Sequence, residues 1–542
     1  MPERPAPRPT GHSILDTLQS LVVAFVLAMT FRGFALEGFV IPTGSMAPTL
    51  MGRHTLWTSE YTGYTYAVDS YRMISEIEDA ARSSSSDAMA RVLERPHYTV
   101  DPMLGRLQSP DPTLYRNLVN DIRMGDRILV HKLMYPFFEP SRWDVVVFKN
   151  PTAPVGDAEN FIKRLIGLPR EKIWLADGDV FAGPATTGDR LDDFVVQRKP
   201  EFVQRAVWQP VHHGEYIPVQ PERAGRQWVS PWQGSRWETN GRRDYVCTSA
   251  DPSELQWDHG RMEITDWNAY NMAHYQGLDG QSVRPVSDLR VSAGIEATQA
   301  GFETTFELEA RSHLFRFTLR DGEARMAFRR VDDPDGPWTE RTVPFTMPAP
   351  GTVFDVEFWH VDQAMWMFVD GASIMEPLTY DWGPAARLAA ATGKPESTFA
   401  TSQFVAAEFP PRALPPELRW RFSGSPVTLR RVHVDRDLHY RAEFQGLRDR
   451  SRAANATHPS HLAMLGPDHF LVLGDNSPAS NDSRLWAPAA PLVRHQIDDA
   501  QYVVHRKLLL GKAWAVYFPS PLRIWDGLPR LMPDFGRLRF IR

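Results

Sequence analysis

The 542-residue chain has a single cysteine, Cys247, so no internal disulfide can form and no CxxC pair exists to hold zinc. It has no long lysine/arginine run, and its formal net charge of -6 gives no clustered cation surface for phosphates. Nucleic acid is therefore not an expected partner. Hydrophobic residues at 42% and charged residues at 23% exclude wholesale disorder. Nor is there a long uninterrupted apolar run except near the N-terminus. What the chain does have is length, too great for one core, together with 17 tryptophans and 45 prolines. These point to two or more domains and a large, loop-rich β portion that rests on packing alone.

The apolar run extends from Leu15 to Phe31, is broken by Arg32 and resumes from Phe34 to Ile41. Its core is short for a spanning helix, but Gln19, Ser20 and Arg32 can snorkel to the headgroups. A cleavable signal peptide would need small residues at an A-x-A-like site, which is missing; a buried core helix is the other alternative. The reading adopted is a single transmembrane anchor. Arg4 and Arg8 before it set the N-terminus on the cytoplasmic side, with the remainder extracytoplasmic.

After the anchor, Phe39-Val40-Ile41-Pro42 reads as a strand leading into a turn that carries Ser45. The stretch from Val68 to Leu93 is acidic, Ala-rich and helical, interrupted by the serines at 83–86. Strand patterns return over Gly125 to Lys132 and in the β-branched run Trp143 to Lys149. Ile173 to Val180 reads as a hairpin closed at Asp177-Gly178. Further on, Phe306, Leu308 and Ala310, then Phe315, Phe317 and Leu319, then Ala324, Met326 and Phe328 alternate with polar neighbours. Phe354, Val356 and Phe358 lead to Trp366, Phe368 and a turn at Asp370-Gly371. Period-two alternation with hairpin turns predicts an antiparallel sandwich.

Three stretches carry chemistry: Ile41-Pro42-Thr43-Gly44-Ser45-Met46, Phe161-Ile162-Lys163-Arg164-Leu165-Ile166-Gly167-Leu168-Pro169, and Gly474-Asp475-Asn476 followed by Ser480-Asn481-Asp482-Ser483-Arg484. Amide hydrolysis by a serine needs an activated hydroxyl, a proton shuttle and donors for the oxyanion. A lysine serves as base only when desolvation lowers its pKa. The apolar neighbours Phe161, Ile162, Leu165 and Ile166 predict such a setting for Lys163. Together the three stretches resemble the type I signal peptidases of bacteria, membrane-bound Ser/Lys proteases. The resemblance implies Ser45 as nucleophile and Lys163 as general base, with Thr43 and the Ser45 N–H as oxyanion donors. It implies Ser480 as the hydroxyl that orients the lysine, Asp482 and Arg484 as an ion pair beneath, and Gly474 as a close backbone approach. Phe39, Ile41, Pro42, Val147, Phe161 and Ile162 match the positions that line the shallow substrate pockets. The implied partners are signal peptides and the lipid bilayer, and no cofactor or metal is implied.

Several features depart from the family pattern. The separation from Ser45 to Lys163 is longer than the family commonly has. Arg170-Glu171 stands for the usual Gly-Asp, and Ser477-Pro478-Ala479 for Arg-Asp-Asn, which leaves the local support of the site open. The interval from 181 to 463 lies outside the pattern, and Phe354 to Gly371 resembles the strand pair of concanavalin/laminin-G-like jelly rolls. Trp359 and Trp366 there are either packing residues or stacking platforms for a glycan. The fold expected is mainly β: a signal-peptidase-like β fold with an N-terminal transmembrane helix and a large inserted antiparallel β-sandwich. In order, the expected segments are a tail over 1–11, the anchor over 12–35, catalytic pieces over 36–52, 123–185 and 461–520, a helical or flexible insert over 53–122, the sandwich over 186–460, and a basic, solvated tail over 521–542. Two alternatives remain. The self-cleaving repressor proteases share the Ser/Lys chemistry but carry a basic DNA-binding helix that this chain lacks. The other is a tethered carbohydrate- or protein-binding module on a weakly active or inactive peptidase scaffold.

Overall fold

The computed structural model describes residues 14–83, 87, 99–105, 122–154, 160–187, 191, 193–218, 228–272, 283–399, 409–443, 452–522 and 532–542. Most of the serine run at 84–86 and the basic residues Arg4, Arg8, Arg523 and Arg530 lie outside them.

A helix spans Ile14–Phe34, and its side chains from Asp16 to Thr30 are all exposed, Leu21 and Phe25 among them. An apolar helix with no covered face is not a core helix, because burial needs a partner along one stripe. Among the described residues no helix is long and apolar enough to cross a membrane.

Two β lobes follow. The first holds an eight-stranded antiparallel sheet in the order Leu36–Val40, Arg127–His131, Leu509–Phe518, Val145–Lys149, Asn160–Gly167, His469–Leu473, Val504–His505, with Arg539–Phe540 pairing the Leu509–Phe518 strand. Strands from opposite ends of the sequence alternate in it. Period-two alternation explains its two covered faces: Val145 and Val147 join Ile128, Val130 and Val516 on one side, and Val146 and Phe148 join Leu165, Phe470 and Val472 on the other. Beside it, Glu171–Ala176 and Asp179–Pro184 form the expected hairpin. Asp177 and Gly178 both take positive φ, 48° and 88°, as a two-residue hairpin turn requires.

The second lobe is a sandwich whose strands run from Gln209 to Arg436. One sheet centres on Val427–Arg436, Leu289–Ala297, Val353–Val361 and Ala364–Val369; the other on Ser253–Trp257, Glu417–Ser423, Glu303–Ala310, His313–Arg320 and Glu323–Arg330. Phe306, Phe358 and Trp420 meet between them, the two phenyl rings stacked at 5.7 Å. Alternation therefore locates the sandwich core. It does not locate Trp359, which is fully buried on the outer face against Trp208 and the Arg205 guanidinium and offers no platform to a sugar; Trp366 is half-buried beside it.

Two expectations are corrected. The segment after 53 opens with a β-hairpin, His54–Thr58 against Thr65–Asp69, before the helix Tyr71–Arg82. The Thr/Trp/Tyr/Val content of those strands favours this over helix. The C-terminal segment is also no solvated tail over its described part. Arg539–Phe540 adds to the sheet, Ile541 enters its core, and Arg537 pairs at 2.9 Å with the fully buried Asp126.

The lobes are joined by buried charge. Arg311 binds Asp177 at 2.7 Å and Asp288 at 2.6 Å; Arg387 binds Asp177, Asp179 and Asp288 at 2.8–3.0 Å. Lys199 sits between Asp362 and Asp437 at 2.7 and 2.8 Å. Burial raises the Asp179 and Asp437 carboxyls, Asp437 to about 6, whereas Arg311 and Arg387 overcome burial and hold Asp177 and Asp288 low.

Candidate active site

The strand Leu36–Val40 delivers Ile41-Pro42-Thr43 into a short 3-10 turn, Gly44–Met46. The turn is closed by the Ala47 N–H donating to the Gly44 carbonyl at 3.0 Å. Lys163 lies on the strand Asn160–Gly167, opposite Val146. Its Nζ donates to Ser45 Oγ at 2.6 Å, across the long sequence gap. Both side chains are nearly shielded from water, Lys163 at 4% exposure and Ser45 at 9%. Burial lowers the Lys163 pKa to about 8; Asp482 and Asp475 pull it back up and Arg484 adds to the lowering. A fraction of this amine is neutral at physiological pH, and a neutral amine at hydrogen-bond distance can accept a hydroxyl proton.

Beneath the pair, Arg484 grips Asp482 with two bonds of 2.9 Å, and Asp482 also accepts the Gly474 N–H at 3.0 Å. Ser477 accepts two more Arg484 donors, at 2.8 Å through its hydroxyl and 2.9 Å through its carbonyl, and the Arg441 carbonyl accepts another at 3.2 Å. The residue that departs from the family pattern is thus part of the support. Gly474 is required for space: a Cβ there would lie 2.2 Å from Ser480 Oγ and 2.4 Å from the Ser45 carbonyl oxygen. The expected hydrogen bond from Ser480 to the amine is not formed, because Lys163 is turned to Ser45 and the buried Ser480 hydroxyl lies over Gly474 without a partner among the described residues. Thr43 is half-exposed and extended, and its side chain does not cap the turn.

Of the pocket residues, Phe39, Ile41, Val147 and Ile162 share one cluster on the sheet face carrying Val145, with Ile41 and Val147 buried in it. Pro42 is exposed. Phe161 lies on the opposite face beside Phe148 and Trp486, its ring centre 5.4 Å from Lys163 Nζ.

Five further residues shape the site, and sequence reasoning gave them no role. Arg164, back to back with Lys163, is fully buried and bound in a fork to Asp475 at 2.8 and 2.7 Å. Asn476 accepts nothing from the turn but grips it: its backbone N–H donates to the Ser45 carbonyl at 3.1 Å and its side chain to the Gly44 carbonyl at 2.9 Å. The same Asn476 amide reaches Asn271 at 2.6 Å. Tyr270 presses on Gly44, where a Cβ would lie 2.0 Å from its ring, so the turn admits only glycine. Asp475 and Asn476 had a visible signal in Gly474-Asp475-Asn476. Tyr270 and Asn271, contributed from the long interval outside the family pattern, had none.

Residues 100–218 match the family model described as "Signal peptidase, peptidase S26". That stretch holds Lys163 and leaves Ser45 outside. Signal peptidase I of Leptolyngbya laminosa is 32% identical over 91 residues, 16% of this chain and 42% of that protein. Probable signal peptidase I-2 of Synechocystis sp. is 33% identical over 85 residues, 15% of this chain and 36% of that protein. The chain thus spans less than half the length of these curated relatives. Among solved structures, sheep galectin-11 is matched over 28% of this chain and 94% of its own, at 16% identity and a TM-score of 0.19. The carbohydrate binding module CBM66 of Bacillus subtilis is matched over 38% and 96%, at 6% identity and a TM-score of 0.20. The sandwich rests on its own strand pairing and not on these neighbours. Across residues 100–218 this chain is similar to the signal peptidases, and with the residue pattern around Ser45 and Gly474 it resembles the type I enzymes among them.

Proposed function

We propose that the chain is a membrane-anchored serine endopeptidase that removes signal peptides from exported precursors. Ser45 is the nucleophile and Lys163 the general base. The observation that carries this is the 2.6 Å contact between a water-shielded amine of lowered pKa and one serine hydroxyl. Neutral Lys163 takes the Ser45 proton as Oγ attacks the scissile carbonyl carbon. The Ser45 N–H and the Thr43 hydroxyl stabilise the oxyanion. The protonated lysine then gives its proton to the leaving amine, and the peptide bond breaks to leave an acyl-enzyme. Lys163 next deprotonates a water that releases the acyl group. An extended substrate adds as a strand beside the Leu36–Val40 edge. Small side chains are preferred where the cluster of Phe39, Ile41, Val147 and Ile162 leaves little room, with Phe161 contributing from the other face beside Lys163 and Pro42 from the exposed approach. Anchoring by the helix Ile14–Phe34 is supported by the apolar side chains it exposes on every side, among them Leu21, Phe25 and Leu27.

The test is cleavage of a precursor with an Ala-x-Ala site by purified protein. Both Ser45→Ala and Lys163→Ala are expected to abolish cleavage while unfolding temperature stays within a few degrees or rises. Cleavage that survives either change refutes the dyad.

A second activity, ligand binding by the sandwich, is favoured by one feature. A groove of about 1010 Å³ crosses the outer face of the Glu303–Ala310 sheet, lined by Glu254, Glu307, Arg316, Thr318 and Arg421. Its charged lining suits a polar glycan or protein segment, and titration with a saccharide panel tests it: no binding, or binding unchanged in Arg316→Ala, removes the reading.

A further inference from the structure

The strand Gln209–His213 lies antiparallel to Val427–Arg436, with His213 directly opposite His433. Cross-strand partners point to the same side of a sheet, so the two imidazoles emerge together. Their rings stack at 4.0 Å, 17° from parallel. Directly after His213 the chain turns through Gly214–Tyr216, which carries the Glu215 carboxylate back to His433 Nε2 at 2.6 Å. One donor atom each from His213, Glu215 and His433 falls within 4.8 Å of the other two. Asp435, two residues along from His433 on the same face, holds His213 Nε2 at 2.9 Å and is itself fixed by Arg290 at 2.8 Å.

Stacked imidazoles and two carboxylates converge here from three separate segments, the strand ending at His213, the turn of Glu215 and the strand of His433 and Asp435. Glu215 reaches His433 and Asp435 reaches His213, so each ring is met by one carboxylate. We infer that His213, Glu215 and His433 form a binding site for a borderline divalent cation of the zinc class. Two imidazoles and one carboxylate are a donor set for Zn²⁺, Cu²⁺ or Ni²⁺ rather than Ca²⁺ or Mg²⁺, which seek oxygen alone. In a tetrahedral zinc centre the ligands stand about 3.4 Å apart, given bonds near 2.1 Å, so side-chain rotation closes the difference. Asp435 plays the part of the carboxylate that fixes a metal-bound histidine ring. The three ligands are half-exposed, which leaves a path for the ion and room for a water as fourth ligand. Bound there, the ion clips the edge strand and the following turn to the central strand of the sandwich. The sequence gives no sign of this: two ligands sit at 213 and 215 and the third at 433, without metal-ligand spacing.

The experiment uses the full chain, stripped with EDTA and dialysed, and Zn²⁺ alone as probe, followed by calorimetric titration and by the unfolding temperature. The wild type is expected to take one Zn²⁺ per chain with micromolar or tighter affinity at this site and to unfold at higher temperature with it. The double variant His213→Gln/His433→Gln should lose that equivalent, and Asp435→Asn should bind about 10- to 100-fold more weakly. Should the double variant not fold, Glu215→Gln keeps both rings and should still weaken binding at least tenfold. A Co²⁺-substituted wild type should show the intense visible absorption of a four-coordinate centre. Zinc uptake identical in wild type and Glu215→Gln, or no stoichiometric uptake by the wild type, overturns the site.

Discussion

Both lobes are antiparallel β structures with apolar cores, yet the interior of the sandwich is apolar alone, whereas the lobe of Ser45 and Lys163 also seals ion pairs beside its sheet. Between the sandwich sheets lie Phe306, Phe358, Trp420, Met365 and Met367, with no ion pair among them. Around Ser45 and Lys163 lie Arg164–Asp475 and Arg484–Asp482, each fully buried. An apolar core tolerates exchange of like for like, whereas a buried ion pair fails when one partner is removed, since the other is left charged and desolvated. The comparison teaches that the site's geometry is bound up with its electrostatics, and that the apolar core between the sandwich sheets can vary without touching it, whereas Tyr270 and Asn271 at the lobe contact cannot.

The sharpest way to break this contrast is through activity. Lys163→Ala should lower kcat/KM on an Ala-x-Ala precursor by about 10⁴-fold or more, while Arg316→Ala on the sandwich groove leaves it within about twofold. Next is the joint between the lobes. Arg387→Ala leaves Asp179 without an arginine and Asp177 and Asp288 with Arg311 alone, and should cost about 3–5 kcal/mol in urea unfolding.

A third prediction turns on Lys163 itself. Its pKa of about 8 lies below the ordinary lysine value of 10.5, so the unfolded chain binds this proton more tightly than the folded one. Stability from this group therefore rises with pH between about 8 and 10.5, and the full penalty, about 3 kcal/mol, is present below pH 8. Lys163→Met should thus stabilise the protein at pH 7 and gain less at pH 10, measured by thermal unfolding, while abolishing cleavage. By the same sign, wild-type cleavage should increase with pH through about 8 as the amine loses its proton. A rate that falls over that interval contradicts Lys163 as base.

A smaller effect is expected where the lobes touch at the turn. Tyr270→Ala removes the ring that confines Gly44 and should reduce kcat about 10- to 100-fold without moving the pH midpoint, since a displaced nucleophile loses alignment and not its base. The smallest concerns exposed pairs of the sandwich. Arg236→Ala breaks a 3.0 Å contact with Asp251 and should change unfolding free energy by less than about 0.5 kcal/mol.

The parts legible in the sequence were those with a local signature. Alternation over Phe306 to Phe328 marks three strands, and Asp177-Gly178 marks a turn, because side-chain period and positive φ are properties of neighbours in the chain. The meeting of Ser45 and Lys163 was legible only through the resemblance carried by their flanking residues. What stayed hidden depends on contacts between distant segments: Tyr270 and Asn271 on the turn, the Arg311 and Arg387 network, and the stacking of His213 on His433. Trp359 was equivocal because an aromatic on the outer face of a sheet is either a binding platform or, once Arg205 and Trp208 cover it, packing. The C-terminal segment misled for the same reason: its arginines read as solvated until Asp126 is seen to pair with Arg537.

The order of strands in the catalytic sheet carries a consequence for synthesis. Leu509–Phe518 lies between Arg127–His131 and Val145–Lys149, and His469–Leu473 flanks the strand of Lys163. A growing polypeptide therefore exposes an unfinished sheet until the whole sandwich has left the ribosome. The support beneath Ser45 and Lys163, from Gly474, Asp482 and Arg484, is completed only at the last stage of manufacture, and a chain interrupted within the sandwich would never acquire it.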